Sequence, residues 1–145
     1  MTVIIIQKDE EMKQKLKDFP RLGPRAIKRA LYDVGKEMYA EARRLIKEGP
    51  KTGRKYKIKG KRGHTASAPG QAPANWTGAL RRSVGFNVRK DEVEYGYKIR
   101  YGEYLEEGTS KMAPRPGLRI TYKIKMGNII NHFNFRFREQ LERKI

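Results

Sequence analysis

One amphipathic stretch sets the frame for this chain. From Pro24 to about Glu48, the residues Ile27, Leu31, Val34, Met38, Ala42 and Leu45 recur at steps of three and four, the spacing that lines side chains along one face of an α-helix. Pro24 suits the first turn of a helix, where its missing N–H is no loss, and Gly49-Pro50 supplies the stop. At about 1.5 Å per residue such a helix extends for about 30 Å or more, so its stripe demands a long apolar partner surface. Met38 and Tyr39 are read as part of that core.

The partner surface is visible as alternation. Val84, Phe86 and Val88 form one strand face, and Val93, Tyr95, Tyr97, Ile99 and Tyr101 form another, joined by the polar turn RKDE; together they predict an antiparallel hairpin with one buried side. The β-branched run Thr2–Ile6 adds a short edge strand. A short helix is expected from Asp9 to Phe19, with Met12, Leu16 and Phe19 on one side and Pro20 at its end. Thr77 reads as the N-cap of a short helix GALRRSV that turns Leu80 inward and Arg81 and Arg82 outward. YGEYLEE reads as a single helical turn closed by Gly108. In the last segment Leu118, Ile120, Tyr122, Ile124 and Met126 alternate like a strand. Leu118, Tyr122, Met126, Ile129, Ile130, Phe133, Phe137 and Leu141 equally fit a helix; the helical pattern prevails from Asn128, and 118–126 stays open between the two. The expected fold class is α+β: a long N-terminal helix and a C-terminal helix packed on a small antiparallel sheet, with a long basic loop. At 145 residues the chain is expected to form one domain over 1–145, with 49–76 as an extended basic, Pro/Gly-rich loop or arm.

Charge is distributed unevenly. The net charge is +18; residues 1–50 carry 12 basic and 8 acidic side chains and residues 91–145 carry 11 and 8, whereas 49–90 holds 11 basic residues and no Asp or Glu. Lys51, Arg54, Lys55, Lys57, Lys59, Lys61 and Arg62 fall within 12 residues. A solvated face usually interleaves both signs, so this clustering points to a polyanion. Two occupants fit it: DNA held without base reading, or an acidic rim on another protein.

Chemistry is not signalled. No cysteine is present, which removes disulfides and thiolate metal sites. His64 and His132 lack a second ligand at a metal-binding offset, and His64 with Ser67 lacks the strand–turn–helix elbow of a nucleophile. Glu103, Glu106 and Glu107 lack the separated ligands of a two-metal site, and KGKRG lacks the strand and the Lys-Ser/Thr ending of a phosphate loop. No enzymatic activity, cofactor or metal is expected. The apolar run Val3–Ile6 is too short for a signal peptide or a membrane span, so a soluble intracellular product with no membrane partner is expected.

The segment SAPGQAPANWTGALRRSVG, Ser67–Gly85, follows the basic stretch. Pro69 and Pro73 stiffen it and its Ala and Gly allow close approach, the properties of an extended arm that docks at reduced ordering cost. The segment combines with a later block to carry a resemblance. Ala66, Ser67, Ala68, Pro69 and Gly70, then Ala72, Pro73 and Ala74, then Thr77, Gly78, Leu80, Arg81 and Ser83, and finally Tyr101 with Tyr104 to Pro116 occur in the order found in the tail-completion proteins of tailed bacteriophages. This is the head–tail joining or minor tail family of the lambda Z type. The resemblance covers nearly the whole chain, with two departures: Gly117 stands where the family has Phe, and Asn75-Trp76 replaces a polar-acidic pair. It implies a structural virion protein of the neck, made in the host cytoplasm and without enzymatic activity. As a homo-oligomeric ring, with six copies the expected number, it would join the DNA-filled head to the tail. Its partners would be other neck proteins (adaptor, stopper or tail terminator), the tail tube and the genomic DNA in the channel. Glu103, Tyr104, Glu106, Glu107, Gly108, Thr109, Ser110, Lys111, Met112, Pro114, Arg115 and Pro116 have two open roles, an edge between neighbouring subunits whose charges set register or a brace within one chain. The alternative to the neck reading is a stand-alone, sequence-independent nucleic-acid-binding module.

Overall fold

The computed structural model describes residues 3–7, 23–57, 59–90 and 92–143; the helix expected over Asp9–Phe19 lies outside them. The architecture is α+β. A three-stranded antiparallel sheet is ordered β1–β5–β4, from β1 (Val3–Gln7), β4 (Val84–Arg89) and β5 (Glu92–Tyr97). Between them in the chain come α1 (Gly23–Lys47), a two-residue ladder of β2 (Lys55–Tyr56) with β3 (His64–Thr65), and the short α2 (Ala79–Ser83). After the sheet follow α3 (Tyr101–Glu107) and α4 (Gly117–Glu142).

The stripe on α1 meets the surface it requires. Leu31, Val34 and Met38 are buried in one cluster with Val93, Tyr95 and Tyr97 of β5, and Phe86 and Val88 of β4 pack against it. The pairing Phe86↔Tyr95 and Val88↔Val93 puts these rings and branched side chains on one side of the hairpin. At the far end of α1 the buried position is Ile46, while Leu45 is half-buried. The run Ala30, Val34, Met38, Ala42, Ile46 continues in steps of four and wins over the expected three-residue step to Leu45.

α1 also packs along α4, antiparallel to it: Glu37 receives Lys125 Nζ at 3.1 Å and meets His132 Nδ1 at 2.5 Å, and Asp33 lies 4.0 Å from Arg136. The ambiguous 118–126 segment is helical throughout. Leu118 and Thr121 are buried, whereas Ile124 and Met126, which completed the alternating pattern, are exposed. The apolar residues of this helix lie on more than one side, which is why strand and helix periods both fitted.

Two boundaries differ from expectation. β5 ends at Tyr97, and Tyr101 opens α3 instead of extending the strand. Lys98 N–H still donates to the Ser83 carbonyl at 2.9 Å, after which Gly102 and Glu103 N–H donate back to Ile99 and Arg100 at 3.1 Å each and curl the chain into a helix. Gly78, at φ 79°, occupies the N-cap position of α2 expected for Thr77, whose hydroxyl oxygen accepts the Ala79 N–H at 3.3 Å from one residue further out.

Because Leu31 is buried at the junction of α1 with the core, Leu31→Ala should lower the unfolding free energy by about 2–5 kcal/mol. Urea titration measures it, and a loss under about 0.5 kcal/mol would remove α1 from the core.

Candidate functional site

The two segments that carry the family resemblance are bonded to each other. Gly70 N–H donates to the Pro114 carbonyl at 2.8 Å, and Arg115 Nε donates to the Ser67 carbonyl at 2.8 Å, across 48 positions of sequence. Arg115 N–H in turn donates to Leu105 O at 2.6 Å. Gln71 Oε1 accepts the Ala68 N–H at 3.1 Å and the Thr52 hydroxyl at 2.6 Å. The arm 66–74 is therefore laid down on its own chain, with Ser67, Ala72 and Pro73 buried, Ala66, Ala68 and Ala74 half-buried, and Pro69 and Gly70 at the surface.

The block after the hairpin is anchored from below by a carboxylate. Glu106, for which a subunit edge and a brace within the chain are both open from sequence, is 1% exposed. It faces the first turn of α4, where its oxygens accept the N–H of Leu118 at 2.6 Å and of Arg119 at 3.4 Å; these amides have no partner inside their own helix. Tyr97 donates its hydroxyl to the same carboxylate at 3.3 Å, and Tyr95 donates to the Leu118 carbonyl at 2.8 Å. Burial raises the Glu106 pKa above the ordinary carboxylate value, opposed by these donors, and burial next to Glu106 raises both tyrosines further above theirs. Gly117 lets α4 begin here, because a Cβ at this position would collide with the Tyr97 hydroxyl and crowd Pro73. Gly108, at φ 77°, ends α3 in a conformation that favours glycine. From there the chain turns through Thr109 and Met112, which exchange backbone bonds at 2.8 and 3.2 Å.

Glu106 and Arg115 thus serve the brace within one chain. Glu107 pairs with Arg119, and Gly108, Met112 and Pro116 are half-buried. Glu103, Tyr104, Thr109, Ser110, Lys111 and Pro114 stay exposed. The signal for Glu106 was its spacing: Gly102 and Glu106 are four apart and both buried, one helical face turned inward.

The basic residues lie in a different part of the chain, on and around the β2–β3 ladder. Lys51, Arg54, Lys55, Lys57, Lys59, Lys61 and Arg62 are all exposed, and among the described residues none of them forms an ion pair. Beside them the His64 ring, carried on β3, stacks on Trp76 with centroids 5.0 Å apart and planes at 16°. The pair borders a recess of about 400 Å³ closed by Asn75, Leu80, Tyr101 and Leu105. Burial, and then the Lys51 charge, lower the His64 pKa below its ordinary value, so at neutral pH the imidazole presents a neutral ring face. Leu80 and Ser83 of α2 are buried and Arg82 is exposed, but Arg81, expected outward, is half-buried with its Nε unpartnered. Sequence reasoning treated Trp76 only as a departure from a family pattern; the signal missed was a large aromatic flanked by Asn and Thr, outside any apolar period.

Comparison of the chain with known protein families, with curated proteins and with solved structures finds no match.

Glu106→Ala leaves the Leu118 and Arg119 amides and the Tyr97 hydroxyl without an acceptor and should destabilise the fold by about 1–3 kcal/mol; Glu106→Gln, which keeps one carbonyl acceptor, should cost less. The raised carboxyl pKa fixes the sign of the pH effect. The folded state holds this proton more tightly than the unfolded state, so the stabilisation is complete below the unfolded pKa and lost as pH rises through the folded one. Relative to Glu106→Gln, the native chain should therefore gain stability on acidification. Paired thermal melts across the acidic range check this, and a relative loss on acidification would mean that the donors outweigh burial.

Proposed function

We propose that the chain is a structural subunit of the neck of a tailed bacteriophage, part of a ring that joins the DNA-filled head to the tail. The observation that carries this reading is the order and spelling of the motif segments 66–83 and 101–116. Their direct bonding through Gly70, Pro114, Ser67 and Arg115 supports it, since residues that share a family pattern here also share one structural unit. The exposed remainder of the later block, Glu103, Tyr104, Thr109, Ser110 and Lys111, is the part free to meet a neighbouring subunit. No catalytic step enters this role.

The acid-free hairpin gives the ring its electrostatic character. Repeated around a closed ring, seven cations per subunit make a positive collar. It would hold phosphates of either strand without reading bases, with a salt dependence of about −0.9 in log K per log salt for each phosphate neutralised. The same collar would equally seat on an acidic rim of an adjacent neck protein.

Replacing Lys55, Lys57, Lys59 and Lys61 together with Gln separates these uses when DNA retention in filled heads and tail attachment are scored independently in assembled particles. Leaking heads with tails attached support DNA contact, and filled heads without tails support docking. Particles normal in both respects would contradict a role for the hairpin in the neck.

A further inference from the structure

Trp76 is the single tryptophan of the chain, and it is 49% exposed. A ring of this size held half in water is unusual, because burying it would remove a large apolar area from solvent. Its plane is nevertheless fixed by the parallel His64 ring. The recess beside the pair, about 400 Å³, lies within the range of small-ligand sites, about 300–1,000 Å³. Tyr101, 44% exposed, closes another side. Among the described residues no carboxylate lines it.

Cations stand on two sides. Lys51 is close enough to His64 to add to the lowering of its pKa by burial, and the Arg82 guanidinium lies 3.4 Å from the carbonyl of Thr77 in the recess wall. The β2–β3 hairpin adds Lys55 and Lys57. A binding surface for duplex backbone needs only the charges, since the bases of a duplex are stacked on one another and out of reach of a side-chain ring. An acidic peptide would likewise use the charges and leave the rings idle. Flat exposed rings between cations match an unpaired base, whose π-face stacks on an aromatic side chain while its phosphates meet Lys and Arg.

We propose that the recess formed by Trp76, His64 and Tyr101 is a stacking site for an unpaired base of single-stranded nucleic acid, with its phosphates directed to the flanking lysines and arginines. The site does not rest on the neck reading and holds for any polyanion-binding role of the chain.

The tryptophan reports on its own site. The full-length chain is titrated at fixed salt with a short oligothymidylate, with an abasic strand of the same phosphate count, with a duplex and with polyglutamate, following tryptophan fluorescence. Oligothymidylate should quench Trp76 and bind about tenfold tighter than the abasic strand, which should bind without quenching. In the variants, which lack the tryptophan and are followed instead by the anisotropy of end-labelled strands, Trp76→Ala should abolish that preference while leaving abasic binding within about twofold, and Trp76→Phe, which keeps a ring, should retain most of it. Equal affinity for the abasic and thymidylate strands in the native chain overturns the proposal, whatever the variants do. So does quenching by polyglutamate or by duplex as strong as that by oligothymidylate. The comparison of strands uses the native chain alone, so a variant that fails to fold leaves the test intact.

Discussion

A buried carboxylate at a helix N-terminus holds the second half of this protein together. Glu106 is out of water, where an ionised or even neutral carboxyl is costly unless its oxygens are bonded. The first turn of α4 and the Tyr97 hydroxyl supply those bonds. One side chain thereby fixes the central strand β5, the short helix α3 and the long helix α4 relative to one another. The requirement propagates outward: α4 must start flush against Tyr97, which leaves no room for a side chain at position 117. The intervening 108–116 loop must then leave α3 through a left-handed glycine and return with Arg115 bonded to Leu105.

Once that loop is fixed, so is the arm. Ser67 and Gly70 bond to Arg115 and Pro114, and the preceding residues follow: Gly53 N–H donates to the Ala66 carbonyl at 2.8 Å and Ala66 N–H to the Arg54 carbonyl at 3.0 Å. The basic hairpin is thus connected to the core through a continuous series of backbone bonds. Mutually unneutralised cations repel, and a segment dense in them is the least able to order itself by burial. Its order here is borrowed from Glu106 through the loop and the arm. The result is a fixed surface on which charge and aromatic rings are brought together from three parts of the sequence: His64 and the lysines from the hairpin, Trp76 from the end of the arm, and Tyr101 from α3.

The regular parts of the fold were legible because their periods were clean. The steps of three and four on α1 and the alternation on β4 and β5 each had one dominant buried face. Legibility failed where two periods coexisted, as at Ile124 and Met126 of α4, or where alternation ran on past the last ladder pairing into Ile99 and Tyr101. The burial of Glu106 was not legible because residue type alone places Glu in water; only its spacing from Gly102 carried the opposite message. The His64–Trp76 stack joins residues twelve positions apart across a loop, and no local pattern encodes such a contact. The seven cations were found from charge alone, but not the stacked rings that follow them in the chain.

The basic hairpin, the arm and the stacked rings form a built, fixed surface and not a loose basic arm. An NMR titration of the isotopically labelled chain with oligothymidylate tests it most directly, since the single tryptophan gives one indole N–H resonance. Shifts should concentrate on that resonance, on His64 and Tyr101 and on the hairpin amides, while the Gly70 and Arg115 amides remain protected from exchange before and after binding. Shifts spread evenly over the lysines and arginines of α1 and α4, or rapid exchange at Gly70 and Arg115 in the free protein, would contradict it.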